Sequence, residues 1–286
     1  MKTWLLAVMK WCAVALVLLV IGTLLATSAP FYSAPEARIA RLAPAPGAGR
    51  SVLVAGATSA SGIELVRELQ ARGWNVVAMV RASSSTTKLD ELGIEKVVAD
   101  SMQPAGLPPL FAARRFDAVV SLIGTSARDL PQRRNPIEVR LRGPAPMDPD
   151  KRPDFLGNRN LIDATRAAGV SRFVFVTVIG AGDSDGAVPW GARRGHEDVV
   201  RLKTRAEDHL RGSGLAWTII RPGGLGRQPP GESAVLVEDA AAFSFLARSD
   251  LGRLTADALG DDSTIGKTYT AFDPQRRMLW SLFSAR

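Results

Sequence analysis

Residues Ser51–Gly62 read SVLVAGATSASG, and this stretch decides the fold. The first five residues are a short apolar run of the kind a strand shows when both its faces are covered. Gly56 then permits a tight turn, and Gly62 lets the next helix pack closely against the strand. From Gly62 to Arg72 apolar residues fall three and four apart, as on one face of a helix. A strand, a glycine turn and a helix in that order point free N–H groups at an anion, and a pyrophosphate suits them. Thr58, Ser59 and Ser61 add hydroxyls that can bond phosphate oxygens. Ser59 stands where a middle glycine is usual, and its small side chain still lets a dinucleotide approach. An ordinary strand–helix turn would look the same in isolation, so context has to decide.

That context is regular. Further apolar runs follow at Asn75–Val80, Lys96–Ala99, Ala118–Ile123, Arg172–Val178 and Ala216–Ile220. Between them, Asp154–Ala168 and Glu197–Arg211 carry helical spacing. Such alternation predicts an α/β chain with a Rossmann-type, doubly wound parallel sheet. In a dinucleotide site the tip of the second strand meets the adenosine ribose. An acid there would suit NAD; this chain has Arg81, then Ala82-Ser83-Ser84-Ser85. A guanidinium beside hydroxyls matches a 2′-phosphate, so NADP(H) is expected over NAD(H). Asp100, at the end of the third strand, is placed to meet the adenine edge, although an aspartate there is also common turn chemistry.

The ends of the chain differ from this body. Trp11–Ala26, WCAVALVLLVIGTLLA, carries no charge, and TWLLAVM precedes it with only Lys10 between. Residues 3–28 are long enough for a transmembrane helix, with Lys10 snorkelling and Trp4 and Trp11 at an interface. A cleaved signal peptide is the rival reading. Residues 29–50, rich in Pro, Ala and Gly, read as a tether. The expected organisation is an anchor over 1–28, a tether over 29–50 and a nucleotide-binding domain over 51–286.

Composition narrows the chemistry. Among 286 residues there is one cysteine, Cys12, and there are two histidines, His196 and His209, which argues against a metal site. The net charge of +8 does not point to nucleic acid, because no binding motif accompanies it and aromatics are only 6%. The excess of arginine is scattered, with one concentration in Pro131–Pro153, where Arg133, Arg134, Arg140, Arg142, Lys151 and Arg152 stand against three acids. That segment could be a lid, a contact for anionic lipid headgroups or a solvated loop.

Taken in order, several segments resemble the atypical short-chain dehydrogenase/reductase superfamily in its NmrA-like NAD(P)H-binding branch. They are VAGATSASG, MVR, VVAD, GNRNLIDATRAAGVSRFVFVTVIGAG, KTRAEDHLRGSGLAWTIIRPGGL and GKTYTAFD, and they cover about Ser51 to Asp273. The resemblance implies a cofactor at the switch point of the sheet and a small C-terminal region, after Pro222, capping the substrate cleft. It implies that Lys203 touches the nicotinamide ribose, that Thr177 ends the strand beneath the nicotinamide, and that Arg221-Pro222-Gly223 turns over the cofactor.

One departure bears on mechanism. Tyrosine-dependent members carry Tyr-x-x-x-Lys, but Val199 stands four residues before Lys203, and the only tyrosines are Tyr32 and Tyr269. The phenol mechanism is therefore absent. Lys203 could act alone as acid or base. Hydride could instead pass to a small flavin, quinone or lipid-like acceptor needing no proton donor, or the cofactor could be bound and never turned over. A bland alternative makes Lys203 an exposed residue paired with Glu207 at i,i+4. The expectation is a single-pass membrane protein whose soluble body is a cytoplasmic NADP(H)-dependent oxidoreductase, or else a non-catalytic NADP(H)-binding sensor or assembly factor.

Overall fold

The computed structural model describes residues 2–27, 38–43, 46–125, 148, 152–188, 197–227, 229–231 and 233–276. Ten strands are named among them: β1 Ser51–Ala55, β2 Asn75–Val80, β3 Glu95–Val98, β4 Ala118–Ser121, β5 Arg172–Val176, β6 Ala216–Pro222, β7 Gly224–Gly226, β8 Val235–Val237, β9 Phe245–Ala247 and β10 Lys267–Phe272. The α-helices are α1 Lys2–Thr27, α2 Ala60–Ala71, α3 Thr87–Glu91, α4 Leu107–Ala113, α5 Asn158–Ala167, α6 Glu197–Arg211 and α7 Arg248–Gly260. A π-helical turn, Pro153–Gly157, leads into α5.

Eight strands form one sheet in the order β3-β2-β1-β4-β5-β6-β10-β8, parallel except where β8 runs antiparallel to β10. The order reverses between β1 and β4, which is where an open α/β sheet holds its ligand. Both faces are covered. One apolar cluster packs Ile63, Leu65 and Leu69 of α2 and Leu251 and Leu254 of α7 against β1. The other packs Leu161 and Ile162 of α5 and Ala206 and Leu210 of α6 against the opposite face. This two-sided burial explains why the strands read as continuous apolar runs. The region after Pro222 divides: β7 and β9 pair as a separate two-stranded sheet, while β8, α7 and β10 complete the main body.

The body begins before Ser51, unlike the tether expected over 29–50. Ile39 bridges Val237 antiparallel, with Ala40 N donating to Leu236 O at 2.8 Å and Glu238 N donating to Arg38 O at 2.8 Å. Arg38 also pairs with Asp239 at 2.7 Å. The edge of β8 exposes unpaired backbone groups, and this segment supplies partners for them. Further on, Gly47 N donates to Arg72 O at 2.7 Å, and the Arg50 guanidinium stacks 4.4 Å above the buried Trp74 ring.

The transmembrane helix expected over residues 3–28 is not established. Among the described residues, no helix is long and apolar enough to cross a membrane. The backbone of α1 covers 26 residues, but its side chains are described only at Trp4 and over 9–20.

Candidate active site

The phosphate loop lies at the carboxyl end of β1. Gly56 has φ +85°, and a Cβ there would stand 2.8 Å from the Leu122 carbonyl oxygen. A Cβ on Gly62 would run into the Gly56 carbonyl oxygen and lie 2.8 Å from Ala57 Cα. Ser59 is the N-cap of α2, and its Oγ accepts from Gly62 N at 3.0 Å. The position that lacks the usual middle glycine is therefore used for helix capping. The earlier N–H groups of the first turn have no intrahelical partner and suit a phosphate. These observations fit a nicotinamide dinucleotide. Gly62→Ala is expected to cost about 1–3 kcal/mol through overpacking and to abolish binding of a nicotinamide dinucleotide. Thermal unfolding and quenching of intrinsic fluorescence would check the two effects separately.

The other expected cofactor contacts are differently placed. Arg81 is exposed just beyond β2, in a turn where its N–H donates to Ser84 Oγ at 3.3 Å. Asp100 Oδ1 accepts from Met102 N at 2.9 Å, so its carboxylate serves its own turn. Thr58 and Ser61 are half-buried on the loop.

Lys203 is not on an exposed face of α6. It is 5% exposed, its Nζ donates to the Ile123 carbonyl oxygen just past β4, and it lies 4.9 Å from the Phe175 ring centroid. Burial pushes its pKa down to about 8, against the opposing pull of Asp154 and Glu207. Gly124 sits at the same spot, since a Cβ there would lie 3.3 Å from Asp154 Oδ1 and 3.8 Å from Lys203 Nζ. A buried amine with its pKa lowered to about 8, at the switch point of the sheet, can exchange a proton with a bound molecule.

Asp154 belongs to this cluster and was not expected. It accepts from Thr125 N at 3.2 Å and from Thr125 Oγ1, and pairs with buried Arg152 at 3.1 Å. Asn158 Nδ2 donates to the Asp154 carbonyl at 2.9 Å, while its Oδ1 accepts from Ser121 Oγ at 2.6 Å. Together these residues fasten the end of β4 to the start of α5. Of the basic segment Pro131–Pro153, only Asp148, Arg152 and Pro153 fall within the described residues.

Thr177 faces a second buried network. Its hydroxyl donates to Glu207 Oε1 at 2.8 Å. Glu207 also binds Arg221, with Nε at 3.0 Å and Nη2 at 2.6 Å, and Arg211 at 3.0 Å. Glu207 is thus taken by arginines and Thr177, leaving Lys203 to Ile123. Arg221 is turned inward, 1% exposed, within β6, although the resemblance placed its segment in a turn over the cofactor. Its pKa is raised despite burial, because Glu207 and Asp183 hold the charged form. His209 bonds Asp163 of α5 at 2.7 Å, and His196 lies outside the described residues. Among the described residues no group of three His, Cys, Asp or Glu could hold a metal.

A sequence family described as NAD(P)H-binding matches residues 56–262, which contain the glycine loop, Arg81 and Lys203. The chain belongs to this NAD(P)H-binding family. Within it, the chain is of the atypical short-chain dehydrogenase/reductase, NmrA-like type. This NAD(P)H-binding chain is 28% identical over 244 residues to sanguinarine reductase of Eschscholzia californica, covering 77% of this chain and 87% of that one. It is 31% identical over 198 residues to the chloroplastic protein TIC 62 of Oryza sativa subsp. japonica, covering 62% of this chain but 35% of that protein. It is 26% identical over 220 residues to the photosystem II assembly factor Ycf39 of Cyanophora paradoxa, covering 73% and 59%. Among solved structures, ChuY, an anaerobilin reductase of Escherichia coli O157:H7, superposes with a TM-score of 0.65 at 23% identity, covering 79% of this chain and 98% of ChuY. That likeness is one of fold.

Proposed function

We propose that this chain is an NADP(H)-dependent reductase of a small acceptor in which Lys203 takes the role that a tyrosine fills in other short-chain reductases. One observation carries the reading: a buried amine, its pKa lowered to about 8, held at the switch point by Ile123 O beside Asp154. A bound nicotinamide supplies or accepts the hydride. The residues of the Gly56–Gly62 loop, with α2 behind them, would hold the pyrophosphate, and Arg81 the 2′-phosphate. Lys203 Nζ would bond the ribose and give its proton to the oxygen of the reduced group, with Asp154 steadying the ammonium form through its charge. Thr177 would join only if its hydroxyl left Glu207.

Arg81→Ala is expected to weaken NADPH binding at least tenfold, about 1.4 kcal/mol, and to leave NADH unchanged. Calorimetric titration with each dinucleotide measures this, and equal losses for both would remove Arg81 as the phosphate reader. Turnover is tested by NADPH oxidation against quinones, flavins and carbonyl compounds, and no oxidation with any of them would overturn the reductase reading.

A second reading, a cofactor-bound sensor or assembly factor, is favoured by Val199 at the tyrosine position and by the commitment of the Thr177 hydroxyl to Glu207. Dinucleotide binding without turnover would support it. In either case we propose that α1 anchors the chain in a membrane with its body on the cytoplasmic side, where NADP(H) is supplied. The reasons are the uncharged sequence from Trp11 to Ala26, the absence of acidic residues in α1, and its exposed Trp11, Leu16, Val17 and Leu18.

A further inference from the structure

A cavity of about 570 Å³ opens beside the phosphate loop, outside the network around Lys203. Ala60, the first residue of α2, and Lys88 of α3 line it. The region after Pro222 also contributes, through Arg227 and Pro229 beyond β7 and Arg248 at the start of α7. α2 and α3 follow parallel strands and α7 precedes one, so all three begin at the carboxyl edge of the sheet.

The charges around this cavity are unbalanced. Lys88, Arg227 and Arg248 all line it, and none forms an ion pair with another described residue. Among the described residues Glu64 is the one carboxylate in the lining, and it is engaged by Arg67 at 3.1 Å. Asp250, nearby on α7, is buried and accepts from Gly231 N at 2.8 Å. Three cations at one concavity repel one another and draw an anion in. Arginine forks and a lysine point charge together suit the several oxygens of a phosphate. The volume exceeds that of a bare phosphate and falls within the range of small-molecule sites, so the group would arrive with its carrier attached.

We propose that this cavity is a phosphate-monoester site held by Lys88, Arg227 and Arg248. The phosphate is that of a separate phosphorylated small molecule, or else the dinucleotide's own 2′-phosphate, which rests on the NADP(H) reading above and would take that group from Arg81. The full chain in non-ionic detergent would be titrated calorimetrically with NADPH, NADH and inorganic phosphate, as wild type, Arg227→Ala/Arg248→Ala and Lys88→Ala. Thermal unfolding would verify that these surface variants are folded. The proposal expects at least a tenfold loss of phosphate or NADPH affinity in the double variant, a smaller loss in Lys88→Ala, and NADH binding unchanged.

Loss for NADPH alone among the dinucleotides assigns the site to the 2′-phosphate. Loss for inorganic phosphate with an unchanged NADPH-to-NADH ratio assigns it to a separate ligand. If the wild type binds phosphate but neither dinucleotide, and the double variant loses that binding, the site stands and the NADP(H) reading falls. If the variants bind all three probes as the wild type does, or the wild type binds no phosphate and NADPH affinity is unaffected, the proposal is overturned.

Discussion

Replacing Glu207 by alanine is expected to destabilise the fold by about 3–5 kcal/mol, the range for breaking a buried ion pair by removing one partner. Glu207 is wholly buried, and it receives Arg221 through two nitrogens, at 3.0 and 2.6 Å. Without it, the inward guanidinium keeps only Asp183, a carboxylate whose side chain is 76% exposed and therefore a weak partner. Thr177 Oγ1 and Arg211 would lose an acceptor in the same step. Urea unfolding measures the loss, and Glu207→Gln should recover part of it by accepting one of these bonds. The double variant Glu207→Met/Arg221→Met should recover more, because it removes both charges together. A loss below about 1 kcal/mol for Glu207→Ala, a typical single hydrogen bond, would show that Asp183 suffices for Arg221.

Lys203→Met is expected to lower NADPH-dependent turnover by about 10²–10⁴-fold, the usual contribution of a positioned general acid, without destabilising the fold. The two readouts part because the charge is buried. The folded-state pKa is lowered to about 8 from 10.5, so below pH 8 the fold carries the cost of burying an ammonium. Between about 8 and 10.5 the unfolded chain binds more proton than the folded one, and stability rises with pH. Methionine has similar length and no charge, so the variant should melt at or above the wild-type temperature and lose that slope. Catalysis runs the other way: the donor must be protonated, so kcat/KM should fall as pH rises through about 8. A pH-independent rate, or a variant with undiminished turnover, would reduce Lys203 to a packing residue.

The parts legible in the sequence are those encoded locally. Ser51–Ala55 and Asn75–Val80 stand as read, because a strand buried on both faces is apolar throughout. Gly56 as a tight turn and Gly62 as a close helix contact were legible because only a residue without Cβ fits those two places. The surroundings of Lys203 were hidden, since Thr125 and Asp154 meet across residues 126–151 and their contact has no local periodicity. Arg221 misled in another way. The resemblance put Arg221-Pro222-Gly223 in a turn over the cofactor, whereas Arg221 is buried and Glu207 on α6, with Asp183, makes that burial tolerable. Residues 38–40 read as part of a linker because the Pro-, Ala- and Gly-rich stretch around them carries no strand signal, while their docking depends on an edge left open at β8.

The docking of Ile39 on Val237 also sets how the body would bear a mechanical load. Among the described residues of the body, tension arriving from the N-terminal side is met first at Arg38–Ala40, by two backbone bonds to Leu236 and Glu238 and one ion pair to Asp239. Beyond them the chain is held again at Arg72 before it enters β1, a central strand paired on both sides. The edge contact therefore acts as a fuse in series. It can open and re-form while the strand that carries Gly56 stays in register, which keeps the nucleotide crevice isolated from strain applied at the N-terminal end.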